Sequence, residues 1–311
     1  MSVSKLCQSM PAFTEDACEM SLFQAKWPNG FRCPHCACQA FYRLTSRSRR
    51  LYECRSCSHQ TSLTVGTIME GTRTPLVKWF QALFLMQTGI SSKLLSELLQ
   101  VTYKTAWLMN HKLRFAMQVH DESRPLTGDI QLYGNFYARP AVSRLSDPLE
   151  QRDQPAVAGA SVDAETGDIA DVKIKRISAA DFNRRLFGIE SFGSFLWRHV
   201  SEDRGVDRRI EVVNVSDQHG VTALGAIWRG VIAWLARTFG GIGPKHLQAY
   251  LDEYCFRVNM RADVFGMLLS LCGSTTTITH RELVRKTRSV RAIRWTGFNK
   301  KKLSDRISAA S

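Results

Sequence analysis

Four of the nine cysteines are spaced to hold a metal. Cys33-Pro-His-Cys36 and Cys54-Arg-Ser-Cys57 are separated by 17 residues, the spacing with which two tight turns each aim a pair of thiolates at one tetrahedral ion. The four cysteines complete the shell, so the expected ion is a structural Zn²⁺, with Cys38 and His35 as bystanders. A second candidate is an acid. The run RIEVVNVSD, residues 209–217, alternates apolar and polar residues and stops on Asp217, as a half-buried strand delivering a carboxylate to its end would. One carboxylate holds Mg²⁺ weakly, because that ion dehydrates reluctantly and is held with help from several oxygens. Asp217 therefore needs partners.

The elements that would position these groups can be read from periodicity. Between the cysteine pairs, Phe41-Tyr42 and Leu51-Tyr52 flank a basic turn, the pattern of a small hairpin. PLVKWFQALFLMQTG (75–89) is a strongly apolar helix, with Gly89 placed as a C-cap. SSKLLSELLQ (91–100) is a second helix, and Thr102 N-caps a third, YKTAWLMNHKLRFAM (103–117). On the third helix Ala106, Met109, Leu113 and Ala116 share one face, and Lys104, Trp107 and His111 share another. Two helices joined by a short turn, the second presenting basic and aromatic groups, form the helix-turn-helix pattern of DNA binding. An ordinary helical hairpin with solvated charges has the same pattern.

QVHDESRPLT (118–127) reads as a linker. Beyond it come a strand at 130–138, a hairpin at 156–177 turning near Glu165–Asp168, a helical stretch at 179–199 and the strand ending at Asp217. Two helices follow, striped by Trp228, Ile232, Leu235 and Phe239, then by Leu247, Leu251, Tyr254 and Val258. That order suits a mixed-sheet α/β core.

A net charge of +14 and a pI near 9.6 point to a polyanionic partner. Much of the excess lies toward the C-terminus, including Arg285, Lys286 and Arg288, with Trp295 and Phe298 interleaved. This tail is either a phosphate-tracking segment or a solvated one. No apolar run approaches the roughly 18 residues that span a bilayer, and the N-terminus lacks the pattern of a secretory signal. A cytoplasmic, nucleoid-associated protein with reduced cysteines is expected.

The zinc-ribbon cysteines, SLTVGTIMEGTRTPLVKWFQALFLM, VTYKTAWLMNHKLRFAM and GPKHLQAYLDEYCFRVN together resemble bacterial insertion-sequence transposases of the ISXO2-like type. These join a zinc ribbon to a DDE catalytic core of the RNase H-like fold. The likeness runs from about residue 25 to 285. It implies a multi-domain chain: an N-terminal helical segment (1–24), a zinc ribbon (25–70), an all-α helix-turn-helix domain (71–120), an α/β RNase H-like mixed-sheet domain (128–285) and a basic tail (286–311). It also implies double-stranded DNA as partner, a homo-oligomer on DNA as one form, and three acids holding two Mg²⁺ ions about 3.5–4 Å apart for strand transfer.

Asp217 matches the second acid of that pattern. The first and third positions fall on Tyr133 and Gly225. Asp129, Asp163, Glu165, Asp181, Asp252 and Glu253 read as turn formers, caps or solvated charges. The resulting expectation is a DNA-binding protein that recognises transposon-end-like DNA and has lost strand transfer. The alternatives are an active DDE transposase with a metal site rebuilt from other acids, and a ribbon for protein contacts beside RNA-binding basic segments.

Overall fold

The computed structural model describes residues 8, 10–44, 51–138, 153–177, 187–201, 209–214, 216–217 and 220–286. The chain forms two units: Met1–Val119 with Ala262–Leu283, and His120–Arg261 with Val284–Ser311.

The first unit begins with helix α1 (Glu15–Lys26), N-capped by Thr14 and carrying Glu15 and Asp16 in its first turn, as the helix dipole favours. A three-stranded antiparallel sheet follows, β1 (Phe41–Leu44), β2 (Leu51–Cys54) and β3 (Gln60–Ser62). Its inner face is aromatic. Phe31 packs on Phe41 at 4.8 Å between ring centres, Trp27 on Phe31 at 4.9 Å and Phe23 on Tyr52 at 5.4 Å. Helices α2 (Leu76–Met86), α3 (Ser92–Leu99) and α4 (Tyr103–Ser123) come next.

Pro75 offers no side-chain cap to α2. The Glu15 carboxylate accepts from the N–H groups of Leu76 and Val77 instead, at 2.9 and 3.0 Å. Two lysines fix the irregular segment after β3 through its carbonyls. Lys26 Nζ donates to Ser62, Leu63 and Val65, and the buried Lys112 to Ile68 and Glu70.

Helix α8 (Val264–Ser274) and the start of α9 (His280–Lys286), as far as Leu283, complete this unit. Ala262–Leu283, expected within the sheet domain, groups with this first unit. Near Gly273 a Cβ would lie 2.7 Å from the carbonyl carbon of Ala25, so only glycine permits α8 to approach α1 this closely.

The second unit is built on a four-stranded sheet ordered β6-β5-β4-β7. β4 (Asp129–Ala138), β5 (Asp153–Val162) and β6 (Ile169–Arg176) form an antiparallel meander, and β7 (Ile210–Val212) pairs parallel to β4. Alternation gives each face its own core. Tyr133, Tyr137, Ala156, Ala158, Ala160, Val172 and Ile174 pack with helices α6 (Ala223–Phe239) and α7 (Leu247–Asn259). Ile130, Leu132 and Val157 pack with α5 (Ile189–His199).

Helix α7 covers the outer edge of β6. Asn259 accepts from the Val172 N–H and donates to the Val172 carbonyl, both at 2.9 Å. Gln248 does the same for the Arg176 N–H at 2.8 Å and the Ile174 carbonyl at 3.0 Å. An edge that would otherwise invite a foreign strand is thereby satisfied by side chains.

Two expectations are corrected. Residues 118–123, expected in a linker, continue α4; Asp121, near its end, is buried and ion-paired, which ties that last turn into the second unit. The strand expected over 209–217 stops at Val212, and Ser216–Asp217 (β8) instead pairs antiparallel with Gly220–Val221 (β9).

Candidate metal centre and nucleic-acid interface

The two cysteine turns are copies of one local structure. In the first, the Ala37 N–H donates to the Cys33 carbonyl at 2.9 Å; in the second, Ser58 donates to Cys54 at 3.0 Å. Each turn closes on a non-glycine residue of positive φ, Ala37 at 60° and Ser58 at 56°. The four sulfurs converge, with Cys33 and Cys57 Sγ 3.7 Å apart, Cys36 and Cys54 Sγ 3.4 Å apart, and all four within 4.8 Å of one another. Zn–S bonds of about 2.3 Å in a tetrahedron require sulfurs roughly 3.8 Å apart, so the set fits Zn²⁺. Desolvation pushes the Cys54 thiol up, but the N–H groups of Cys57 and Ser56 and the neighbouring thiols outweigh it and bring it down to about 6. Cys54 is thus prepared as thiolate, the form that binds metal.

On α3 and α4 the structure separates the three residues expected at a DNA groove. Lys104 is exposed, Trp107 is half-buried and His111 is buried. Trp107 lies against His111 at 4.1 Å and against His280 at 5.4 Å, which makes it a wedge within the first unit. From Met109 to Arg114 every residue of α4 is buried, with Asn110 donating to the Ile90 carbonyl and Lys112 to those of Ile68 and Glu70. The helix face that sequence reasoning assigned to solvent is open only in its first turns. There Tyr103, 57% exposed, joins Lys104, with Lys93 exposed on α3. The turn between the helices is fixed by Gln100 in the left-handed region and by Lys78 Nζ, which donates to the Gln100 carbonyl at 3.1 Å. Tyr103 and Lys93 were missed in the sequence reading; Tyr103 is adjacent to Lys104 and follows the N-cap. The side chains of Arg285 and Lys286 lie outside the described residues, as do Arg288, Trp295 and Phe298.

Around the acid positions, Tyr133 sits in β4 with its ring edge-on to Trp228 at 6.0 Å, and its hydroxyl accepts from Asn135 Nδ2. Burial pushes the Tyr133 phenol pKa up. At Gly134 the place of a Cβ is filled by the Phe187 ring. Gly225 is buried in the first turn of α6, its N–H donating to the N-cap Thr222 at 3.1 Å. The Thr222 hydroxyl donates to the Asn214 carbonyl at 2.7 Å, and the Val213 N–H to the Leu132 carbonyl at 2.8 Å. Register thus brings Val213 and Asn214 beside the Tyr133–Gly134 segment. Asp217 lies three residues further, in the β8–β9 hairpin, and its side chain is outside the described residues.

Of the other acids, Asp163 forms the hairpin turn, accepting from the N–H groups of Glu165 and Thr166 at 2.9 and 2.8 Å. Asp129 accepts from the Arg209 N–H at 3.0 Å, and Asp181 lies outside the described residues. Asp252 and Glu253 overturn their reading as solvated charges, for both are buried. Lys175 Nζ lies 2.6 Å from Asp252 and 2.6 Å from Asp121, and Lys173 lies 3.0 Å from Asp121. Among the described residues, the four cysteines are the one cluster with metal-binding geometry, and no helix is long and apolar enough to cross a membrane.

Residues 13–60 match the transposase zinc-ribbon domain family. Over 138 residues the chain is 28% identical to an uncharacterized protein in transposable element ISH50 of Halobacterium salinarum. The aligned part covers 43% of this chain and 44% of that relative, so the chain spans less than half of the relative's length. No solved structure matches.

Proposed function

We propose that this chain is a duplex-DNA-binding protein of insertion-sequence transposase descent, recognising transposon-end-like DNA, whose strand-transfer chemistry is lost. The observation that carries the reading is the packing at Tyr133. Where the transposase pattern calls for a metal-binding acid, the chain has a phenol edge-on to Trp228, with Phe187 filling the space over the next residue. The meander β4-β5-β6 with β7 parallel beside β4 supports an RNase H-like core. The transposase-type ribbon and the ISH50 similarity support the descent.

In this reading the ribbon holds one structural Zn²⁺ through Cys33, Cys36, Cys54 and Cys57. Helices α3 and α4 form the helix-turn-helix, meeting the major groove with the start of α4. Lys93 and Lys104 supply phosphate contacts beside Tyr103, and Arg285, Lys286 and Arg288 extend them. Trp107 and His111 hold α4 in place from inside. A metal site rebuilt from Asp121 and Asp252 is disfavoured because Lys173 and Lys175 already occupy those carboxylates.

The deciding experiment incubates the protein with duplexes carrying candidate element ends, with and without Mg²⁺ or Mn²⁺. Salt-sensitive binding without nicking or joining is expected. Metal-dependent product that disappears in Asp217→Ala would establish the active alternative and overturn the loss of strand transfer.

A further inference from the structure

The ribbon carries two exposed stacks that its metal role does not use. On β1, Tyr42 is 52% exposed, and the exposed Arg55 guanidinium lies 4.5 Å from its ring centre. His35 and His59, both exposed, stack with ring centres 5.9 Å apart and planes within 17°. Each stack takes one member from each cysteine arm: His35 and Tyr42 belong to the first, Arg55 and His59 to the second. The arms are also joined by the Arg55 N–H, which donates to the Ala40 carbonyl at 3.0 Å. Glu53, opposite Tyr42 in the ladder, is engaged by Gln60 at 2.6 Å.

We propose that this part of the ribbon is a stacking platform for unpaired bases of single-stranded DNA. A ring face backed by a guanidinium complements the π-face of any base. A duplex hides those faces and offers base edges in its grooves, so the platform selects the unpaired strand. The net charge of +14 adds attraction for the phosphate backbone. Since each stack spans both arms, the platform exists only while the metal joins them, and single-strand binding follows zinc occupancy. The inference shares with the proposed function only the polymer; the duplex surface on α3 and α4 is a different site.

The experiment follows fluorescence anisotropy of labelled (dT)12 and of a 20-base-pair duplex as full-length, zinc-replete protein is added. Tyr42→Ala and Arg55→Ala are each expected to weaken (dT)12 binding about tenfold, with Tyr42→Phe close to the unaltered protein. Duplex binding should be unmoved by Tyr42→Ala and reduced by Lys104→Ala. Zinc content, measured for every variant, separates a collapsed ribbon from a lost stack. Zinc-replete Tyr42→Ala and Arg55→Ala that hold (dT)12 as tightly as the unaltered protein would overturn the proposal, as would an unaltered protein that ignores (dT)12. Loss of duplex binding alone, with Tyr42-dependent (dT)12 binding intact, would sink the duplex reading and leave the platform standing.

Discussion

Lys175 Nζ lies 2.6 Å from Asp252 Oδ1 and at the same distance from Asp121 Oδ2, with all three side chains cut off from solvent. Burial pushes the Lys175 pKa down, but the two carboxylates outweigh it and keep the ammonium charged. Removing the cation would leave two buried carboxylates facing each other. Lys175→Met should cost about 3–5 kcal/mol in urea unfolding, and adding Asp252→Leu should restore part of it. A single variant within about 1 kcal/mol of the parent protein would show that the pair is not what holds β6 to α7.

Zinc should be present at one equivalent per chain. Structural sites contribute about 10–16 kcal/mol of apparent binding energy, so Cys54→Ser or chelation should unfold the ribbon. Metal analysis finding less than about half an equivalent would refute this.

Acid should destabilise the second unit through His199. Burial is the main reason its pKa falls to about 3, with Lys175 adding to it. Between pH 6.5 and 3 the unfolded chain binds a proton that the folded chain refuses, so stability declines as pH falls through that window and is flat above it. The expected loss from pH 7 to pH 5 is about 1–2 kcal/mol. His199→Gln should flatten that slope; an unchanged slope would assign it elsewhere.

Restoring acids should not restore chemistry. Tyr133→Asp removes a ring packed on Trp228 and leaves a carboxylate among the apolar side chains of that face, at about 3–5 kcal/mol. With Gly225→Glu added, Mg²⁺-dependent nicking of element-end DNA is still not expected. Its appearance would show that the site had kept its metal geometry.

Trp107→Ala and Lys104→Ala should separate fold from binding. The first empties the space between His111 and His280 and should lower stability by about 3 kcal/mol. The second should leave the melting temperature unchanged and reduce the slope of log affinity against log salt by about 1. The opposite assignment of effects would return Trp107 to the groove.

The zinc centre was legible because a four-cysteine shell is encoded in local spacing. The β5–β6 hairpin was legible because strand alternation and the Asp163 turn are also local. The run to Asp217 misled because alternation marks a face, not where pairing ends; β7 leaves the sheet after Val212 although β4 runs on to Ala138. His111 and Asp252 misled for a related reason. A helix buried on more than one side hides polar residues that a one-sided helical pattern assigns to water, and only partners distant in sequence, such as Ile68 for Lys112 and Lys175 for Asp252, reveal it.

The covering of β6 has a consequence in time. The Val172 amide is satisfied by a residue 87 positions later in the chain, and that of Arg176 by one 72 positions later. At synthesis rates of roughly 5–20 residues per second, a ribosome needs roughly 4–17 s to supply Asn259 after Val172. Throughout that interval the nascent meander presents a bare row of amides and carbonyls to neighbouring chains. Slow elongation between residues 177 and 259 therefore favours strand-to-strand aggregation, and a chain cut short before Gln248 carries that open edge permanently.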